Sequence, residues 1–445
     1  MADTLAAPLP RPAVMPQILA LAAPTALSAV LQVVGQIAET WLAARQGTAA
    51  LAGWSVVLPF SLLMQQMSAG AMGGGVASAT ARALGAGRRD EASALVLHAV
   101  LIAILAGGIF AILLAGFPRA VLGLIGGPTA AEAGAAYATW LFGLGAIPVW
   151  LANTLASVLR GGGRHALAAR VLLLTWVVYP PLAWLLAEPV GMGLPGIGAA
   201  MAIAFLGSTI VMGWVVARGG AGFVPALRVR PSRAMFWCIL SVGLVASALA
   251  GVANLTTILV TARIATHGAA AVAAYGISAR LEFLMIPIAF GVGSALTALV
   301  GRTVGAGDWD HARRIAWTGG FMALAITSII GLAVALAPQS FASFFTTDPA
   351  VVAIAAQALS WTGLAFGGFG LGMALYFASQ GAGRMGWPMA AGVARIAVAV
   401  GGGWLLSDVA GLGLDGQFIA VALGITAYGA FTAAGVRPAV WSKPG

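Results

Sequence analysis

The sequence predicts an all-α polytopic membrane protein, with twelve transmembrane helices in two pseudo-symmetric six-helix bundles. Three observations carry that prediction. Hydrophobic residues make up 61% of the 445 positions and charged ones only 8%, with a mean hydropathy of +0.99, whereas an average soluble domain is roughly 25% charged. The apolar residues fall in repeated runs of about 20, the length that crosses a bilayer core as a helix. Finally, the basic residues and several short motifs recur with a regularity that fixes orientation and reveals a duplication.

Spans are expected to start near residues 16, 50, 93, 131, 166, 194, 236, 270, 315, 351, 387 and 413. The first run is too long for a signal-peptide core and has no basic leader, so it is read as the first span. Alternating strand patterns are absent, and lipid requires each segment to satisfy its own backbone hydrogen bonds, so each run is read as a helix. With the N-terminus cytoplasmic, seventeen basic residues fall on inner segments: Arg11; Arg82, Arg88 and Arg89; Arg160, Arg164 and Arg170; Arg218, Arg228, Arg230 and Arg233; Arg302, Arg313 and Arg314; Arg384; Arg437 and Lys443. Outer segments hold three, Arg45, Arg119 and Arg263, while Arg280 and Arg395 fall within spans. That asymmetry puts both termini in the cytoplasm. It also supports the count, because one missed helix would scramble the alternation after it.

The duplication appears as "RALGAGRRDEA" at 82–92 and "RTVGAGDWDHA" at 302–312, identical at six of eleven positions with an offset of 220. The same offset pairs "RGGGR" at 160–164 with "QGAGR" at 380–384, and "GMGLPG" at 191–196 with "GLGLDG" at 411–416. A further match, "GTAALAGW" at 47–54 with "GAAAVAAY" at 268–275, implies one inserted residue. The chain therefore divides into an N-terminal lobe (1–219), a cytoplasmic linker (220–235) rich in glycine, proline and arginine, and a C-terminal lobe (236–445). Six spans per half is an even number, so both halves enter the membrane in the same sense, a parallel repeat about an axis along the membrane normal. Two such bundles enclose a cleft near the midplane, the architecture of a secondary transporter.

Other classes fit poorly. The net charge of +10 is spread over short loops and forms no face for nucleic acid. Cys238 is the sole cysteine, and His98, His165, His267 and His311 show no ligand spacing, so neither a metal site nor a disulfide framework is expected. The "GAG" and "GGG" loops lack the preceding strand and following Lys-Ser/Thr of a phosphate loop, and read as tight turns. No nucleophile, acid/base pair or metal cluster suggests an enzyme. The expected partners are small organic substrates and the lipid bilayer, with no cofactor beyond a coupling ion; a monomer in a bacterial inner membrane is expected.

Glu39 is the foremost candidate residue. Residues 12–38 carry no charge, and Thr25, Ser28, Gln32, Gln36 and Glu39 follow at steps of three or four, on one helix face. A carboxylate at depth costs about 2.5–3.5 kcal/mol on insertion scales, so it is expected to face a protein interior or wet cavity, where it can exchange a proton or hold a cation among amide and hydroxyl oxygens. The alternative is an interfacial glutamate paired with Arg45. Glu39, Gln36 and Gln32 are thus the expected coupling residues. Glu282, two residues from Arg280, is the second intramembrane acid; Arg395 is its other candidate partner, either in a structural pair near the cytoplasmic end of the eighth span or in coupling. Ser247, Gly251, Asn254, Thr257 and Thr261 form a polar face on the seventh span, where Asn254 either lines the cleft or ties two helices together. Trp176 and Tyr179 are candidates for stacking on an aromatic or cationic ligand, against the commoner role of interfacial anchors. Expected cavity residues are therefore Asn254, Thr257, Tyr179, Trp176, Glu282 and Arg395. Pro59, Pro148, Pro180, Pro181 and Pro287 are expected to interrupt spans, and Gly363, Gly367, Gly368 and Gly372 to serve close helix packing.

Taken together, the chain resembles the multidrug and toxic compound extrusion (MATE) family, of the bacterial DinF- and NorM-like type. The resemblance rests on "AETWLAARQGTAALAG" at 38–53, "ARALGAGRRDEA" at 81–92 with its repeat, and "LRGGGR" and "SQGAGR" closing the fourth and tenth spans, all in order across nearly the whole chain. It implies antiport: efflux of organic, often cationic or aromatic compounds against inward flow of protons or sodium ions, by alternating access. The family's usual first-span aspartate followed by threonine is replaced here by Glu39–Thr40. Acids that some members carry in the seventh and tenth spans are absent from "GVANLTTILV" and "GGFGLGMALY", and fifth-span asparagines from "LLLTWVVYPPLAW". These departures favour proton over sodium coupling through Glu39. The alternatives are a related lipid-linked saccharide flippase, which would want more basic cavity residues, and a major-facilitator-type transporter, whose loop aspartate "LGAGRR" lacks.

Overall fold

The computed structural model describes residues 13–442, so Arg11 and Lys443 lie outside the described residues. Twelve helices are long and apolar enough to cross a membrane: α1 (Val14–Arg45), α2 (Thr48–Gly85), α3 (Arg89–Gly116), α4 (Pro118–Gly161), α5 (His165–Ala187), α6 (Leu194–Ala217), α7 (Arg233–His267), α8 (Ala269–Gly305), α9 (Trp309–Leu336), α10 (Pro349–Ala382), α11 (Gly386–Val409) and α12 (Gly413–Ala434). Among the described residues there is no strand. Eleven of the twelve start where the hydropathy pattern placed them to within six residues. In α4 the helix begins earlier, at Pro118, breaks at Gly127 (φ 72°, ψ 175°) and resumes at Pro128. Only glycine adopts that conformation cheaply, and proline suits the first turn that follows.

The prolines behave differently from expectation. Helices run through Pro59, Pro148, Pro180, Pro181 and Pro287. Losing one hydrogen bond at a proline costs less than ending a helix where no water can satisfy the backbone. The local irregularities are instead wide π-turns, at Gln66–Ala71 within α2 and at Ala397–Gly402 and Leu405–Val409 within α11. The linker is also three residues shorter at its C-terminal end than expected, because α7 already starts at Arg233.

Each half is built around its fourth helix. In the first, α4 packs on α2, α3 and α6; in the second, α10 packs on α8, α9 and α12. Gly363 serves the close packing expected of it: a Cβ there would stand 2.7 Å from the Gly331 carbonyl oxygen of α9. The two halves meet through α2 against α8, and through the pair of contacts α1–α8 and α7–α2, which the 220-residue repeat relates to each other.

Among the described residues, the apolar clusters and hydrogen bonds that join the halves lie toward one face, the one that carries the clustered arginines. There Ile18 and Ala22 of α1 share an apolar cluster with Val292, Ala295 and Leu296 of α8, and Ala71 of α2 joins one with Val242 and Ala246 of α7. Arg82 donates to the carbonyls of Gly381 (3.2 Å), Gln380 (3.4 Å) and Cys238 (3.4 Å), with Ser78 also donating to Gln380. Its repeat counterpart Arg302 donates to the carbonyl of Gly162 at 3.1 Å. Each arginine thus reaches a carbonyl at a helix C-terminus of the opposite half, Gly381 for Arg82 and Gly162 for Arg302, where intrahelical bonding leaves groups open and the helix dipole attracts cations. Toward the other face, the second half's cluster of Val260, Ile264, Tyr275, Ile277 and Leu281 contains no residue of the first half. The halves are joined at the basic face and separate at the far one.

Candidate functional site

Glu39 lies six residues before the far-face end of α1, roughly 9 Å along the helix, and its residue is 4% exposed. Its Oε1 accepts two hydrogen bonds, from the Tyr137 hydroxyl of α4 at 2.6 Å and from the Trp54 indole N–H of α2 at 3.0 Å. The Tyr179 hydroxyl of α5 is buried beside the same carboxylate but outside hydrogen-bond geometry. Four helices of the first half therefore converge on one acid. Arg45, its alternative partner at the interface, instead pairs with Glu188 at 2.6 Å. The second half carries a comparable outer clasp, Arg263–Asp408 at 2.7 Å. Among the described residues no cation pairs with Glu39.

The polar stripe continues along α1 toward the basic face. Gln32 donates to Gln65 Oε1 at 2.9 Å, and Thr25, Ser28 and Gln32 line a cavity of about 40 Å³ with Gln65, Asn153 and Arg160. Asn153 donates to Ser68 Oγ at 2.9 Å, inside the π-turn of α2. Such turns expose backbone groups and recur at functional sites; here the Gly70 carbonyl accepts from Gln380 of the other half at 3.3 Å.

Several candidates sit elsewhere than expected. Gln36 is half-buried and makes no hydrogen bond to Glu39 among the described residues, because the carboxylate is turned toward α2 and α4. Trp176 and Tyr179 are buried, at 4% and 0% exposure, and neither faces an open cleft; the small cavity that Trp176 reaches is closed from the other half by Phe290. Trp176 lines the cavity, stacks edge-on against Tyr179 and Phe205 at 5.9 and 5.7 Å, and fills the space left by Gly35. Asn254 is exposed and returns its hydrogen bond to Ala250 of its own helix at 2.9 Å, as Thr257 does to Ala253 at 3.3 Å; neither ties α7 to a neighbour. Glu282 and Arg395 pair with each other at 2.5 Å inside the second half, with the guanidinium 5.8 Å from the Phe369 ring, while Arg280 is exposed. Glu282 is thirteen residues from the far-face end of α8, roughly 20 Å, so the pair lies at mid-depth and not near the cytoplasmic end.

Sequence reasoning missed Trp54, Tyr137, Gln65, Asn153 and the position of Arg160. Asn153, Ser157 and Arg160 at steps of four and three did mark one polar face of α4. Arg160 was grouped with the loop arginines because it stands one residue before the helix end, yet it is 4% exposed. The aromatic donors carried no such signal, since a tyrosine or tryptophan in an apolar helix is ordinarily packing.

Comparison with known proteins agrees with this architecture. The MatE family model matches residues 24–185 and again 243–405, one match per half. A probable multidrug resistance protein NorM of Deinococcus radiodurans is 30% identical over 429 residues, covering 89% of this chain and 87% of that one. An FAD transporter of Shewanella oneidensis is 25% identical over 340 residues, 73% of each chain. A solved structure described as the outward-facing conformation of a multidrug resistance MATE family transporter of the MOP superfamily superposes with a TM-score of 0.88 at 20% identity over 95% of both chains. The duplicated bundles and the family match leave no place for a major-facilitator fold or an enzyme. The chain belongs to the MatE family of membrane transporters.

Proposed function

We propose that this protein exports organic compounds in exchange for protons, with Glu39 as the coupling group. The observation that carries the reading is that the Glu39 carboxylate is buried among neutral donors, Tyr137 and Trp54, with no basic side chain paired to it among the described residues. A proton neutralises such a carboxylate in place. A sodium ion would need several oxygen ligands, as hard cations do, and one of the two groups bonded to Glu39 is an indole N–H that cannot ligate a cation. Protonation weakens the acceptor that holds α1 against α2 and α4, and α1 also forms part of the seam with α8. Binding or release of one proton therefore biases the seam between closed and open arrangements, which is the requirement for coupling.

The basic face is read as cytoplasmic, by the excess of arginines there, which puts both chain termini in the cytoplasm and makes the arrangement with joined basic faces the outward-open one. The multidrug-resistance name of the Deinococcus relative supports small organic substrates, in the bacterial inner membrane. The test is substrate efflux from cells or uptake into inverted vesicles, with imposed proton or sodium gradients, for wild type and Glu39→Gln. Proton-driven export that Glu39→Gln abolishes at normal protein levels is expected. Export that follows a sodium gradient and ignores a proton gradient, or that survives Glu39→Gln, overturns the reading.

A further inference from the structure

Arg160 is a buried cation without an acid. It is 4% exposed, donates to Ser157 Oγ at 2.8 Å, and lies 5.5 Å from the Phe290 ring centroid across the seam. A guanidinium has five N–H donors, and among the described residues no carboxylate forms an ion pair with it. Burying an unpaired charge is strongly unfavourable, and an arginine kept only for packing would be expected to reach water or bring a carboxylate with it. The repeat sharpens the point: at the equivalent position of the second half stands Gln380, so the charge is present on one side only.

The surroundings are those of a ligand site. Arg160 and Phe290 form a wall shared by the 40 Å³ cavity, with its Gln32, Gln65 and Asn153, and a smaller one of about 10 Å³ at the seam, lined by Ser294, Thr297 and Gln380. The Gln380 side-chain oxygen is buried there with no hydrogen-bond partner, although its nitrogen is satisfied by Tyr376 and Gly70. An unmatched cation and an unmatched acceptor thus line one small space. The larger cavity has room for two or three water-sized groups, the size of an oxyanion group and not of a whole drug.

We propose that Arg160 is an anion-binding residue, whose site takes a carboxylate or phosphate group at the inner end of the transport path. The arginine forks onto two oxygens of the group, and a hydroxyl or water beside it donates to Gln380. Opening of the seam on the basic face would expose this site, so it would meet anionic groups from that side. The proposal depends on the transport reading for its role in export but not for binding itself.

The test is the thermal midpoint and calorimetric titration of the full chain in detergent at constant ionic strength, with sodium phosphate, sodium benzoate and neutral benzamide as probes. A ligand that binds only the folded state raises the midpoint saturably. We expect such a rise with phosphate or benzoate and none with benzamide, abolished in Arg160→Gln. Saturation by phosphate alone assigns the site to a free anion, and saturation by benzoate to the acidic group of an organic compound. An equal response in wild type and Arg160→Gln, equal responses to benzoate and benzamide, or no saturable response to either anion overturns the proposal. Should Arg160→Gln fail to yield folded protein, Arg160→Lys decides: it keeps the charge but loses the fork, so affinity for the anion must fall, and unchanged affinity overturns the proposal. Because no gradient is involved, failure here leaves proton-driven export through Glu39 standing.

Discussion

Gly85 of α2 packs so closely on Arg302 of α8 that a Cβ at Gly85 would overlap the Arg302 carbonyl oxygen, and a Cβ at Gly305 would overlap the Arg82 carbonyl in return. The duplication thus brings each half's conserved-in-repeat arginine and glycine against the same pair in the other half, and the seam closes on backbone. No flexible side-chain end is available there to move aside. Cys238, free and half-buried, accepts from Arg82 at its carbonyl and is a natural reporter. Gly85→Leu should hold the seam open and raise maleimide labelling of Cys238 by about tenfold, the change that ~1.4 kcal/mol of lost closure brings. Labelling that stays at the wild-type rate in folded protein would show that the seam tolerates the side chain.

Tyr137 and Trp54 donate to one oxygen of Glu39. Removing either donor leaves that oxygen with the other, whereas removing both leaves a buried acceptor bare. Tyr137→Phe and Trp54→Phe should therefore be non-additive, the double variant losing about 0.5–3 kcal/mol more than the sum of the singles. Thermal midpoints of the four proteins provide the cycle, and simple additivity would mean that the donors act independently of the carboxylate.

The ring of Trp176 occupies the space above Gly35, where an added Cβ would stand 2.7 Å from Cε3. Gly35→Ala should push α1 away from α5 and cost about 1–3 kcal/mol, as overpacking does. Trp176→Leu in the same chain should restore most of the loss. If the double variant is less stable than Gly35→Ala alone, the ring supports the fold in another way.

Glu188 lies outside the spans. Its hydrogen bond from Arg45 holds its carboxyl below the usual carboxylate range, with a smaller opposing effect of desolvation and further help from the Arg45 charge and Trp184. A depressed folded-state pKa stabilises above the unfolded value and is lost as pH falls through the folded value. The wild-type thermal midpoint should thus fall more than that of Glu188→Gln as pH is lowered from about 5 to about 3, and the difference should shrink in high salt because the pair is exposed. Parallel pH profiles would remove the clasp from the stability of the far face.

How much could be read in advance varied with the physics behind each feature. The spans were legible because lipid imposes a length and a composition on every helix, and Glu39 because its charge contradicts its setting. The pairing of Arg45 with Glu188 was not, since it joins residues 143 apart in the chain. Nor was the burial of Arg160, because a residue one position from a helix end is inside or outside according to what the other half lays over it.

Sequence by itself determined that this chain crosses a membrane twelve times, that it is a duplication, and that one acid in its first helix is out of place. These follow from local composition and from spacing, which need no partner to be read. Tertiary structure alone decided that Glu39 looks into its own half, toward Tyr137 and Trp54, and that the two halves close on one face through Arg82 and Arg302. A helix has several faces open to a side chain, and only the packing of its neighbours selects which of them becomes an interior.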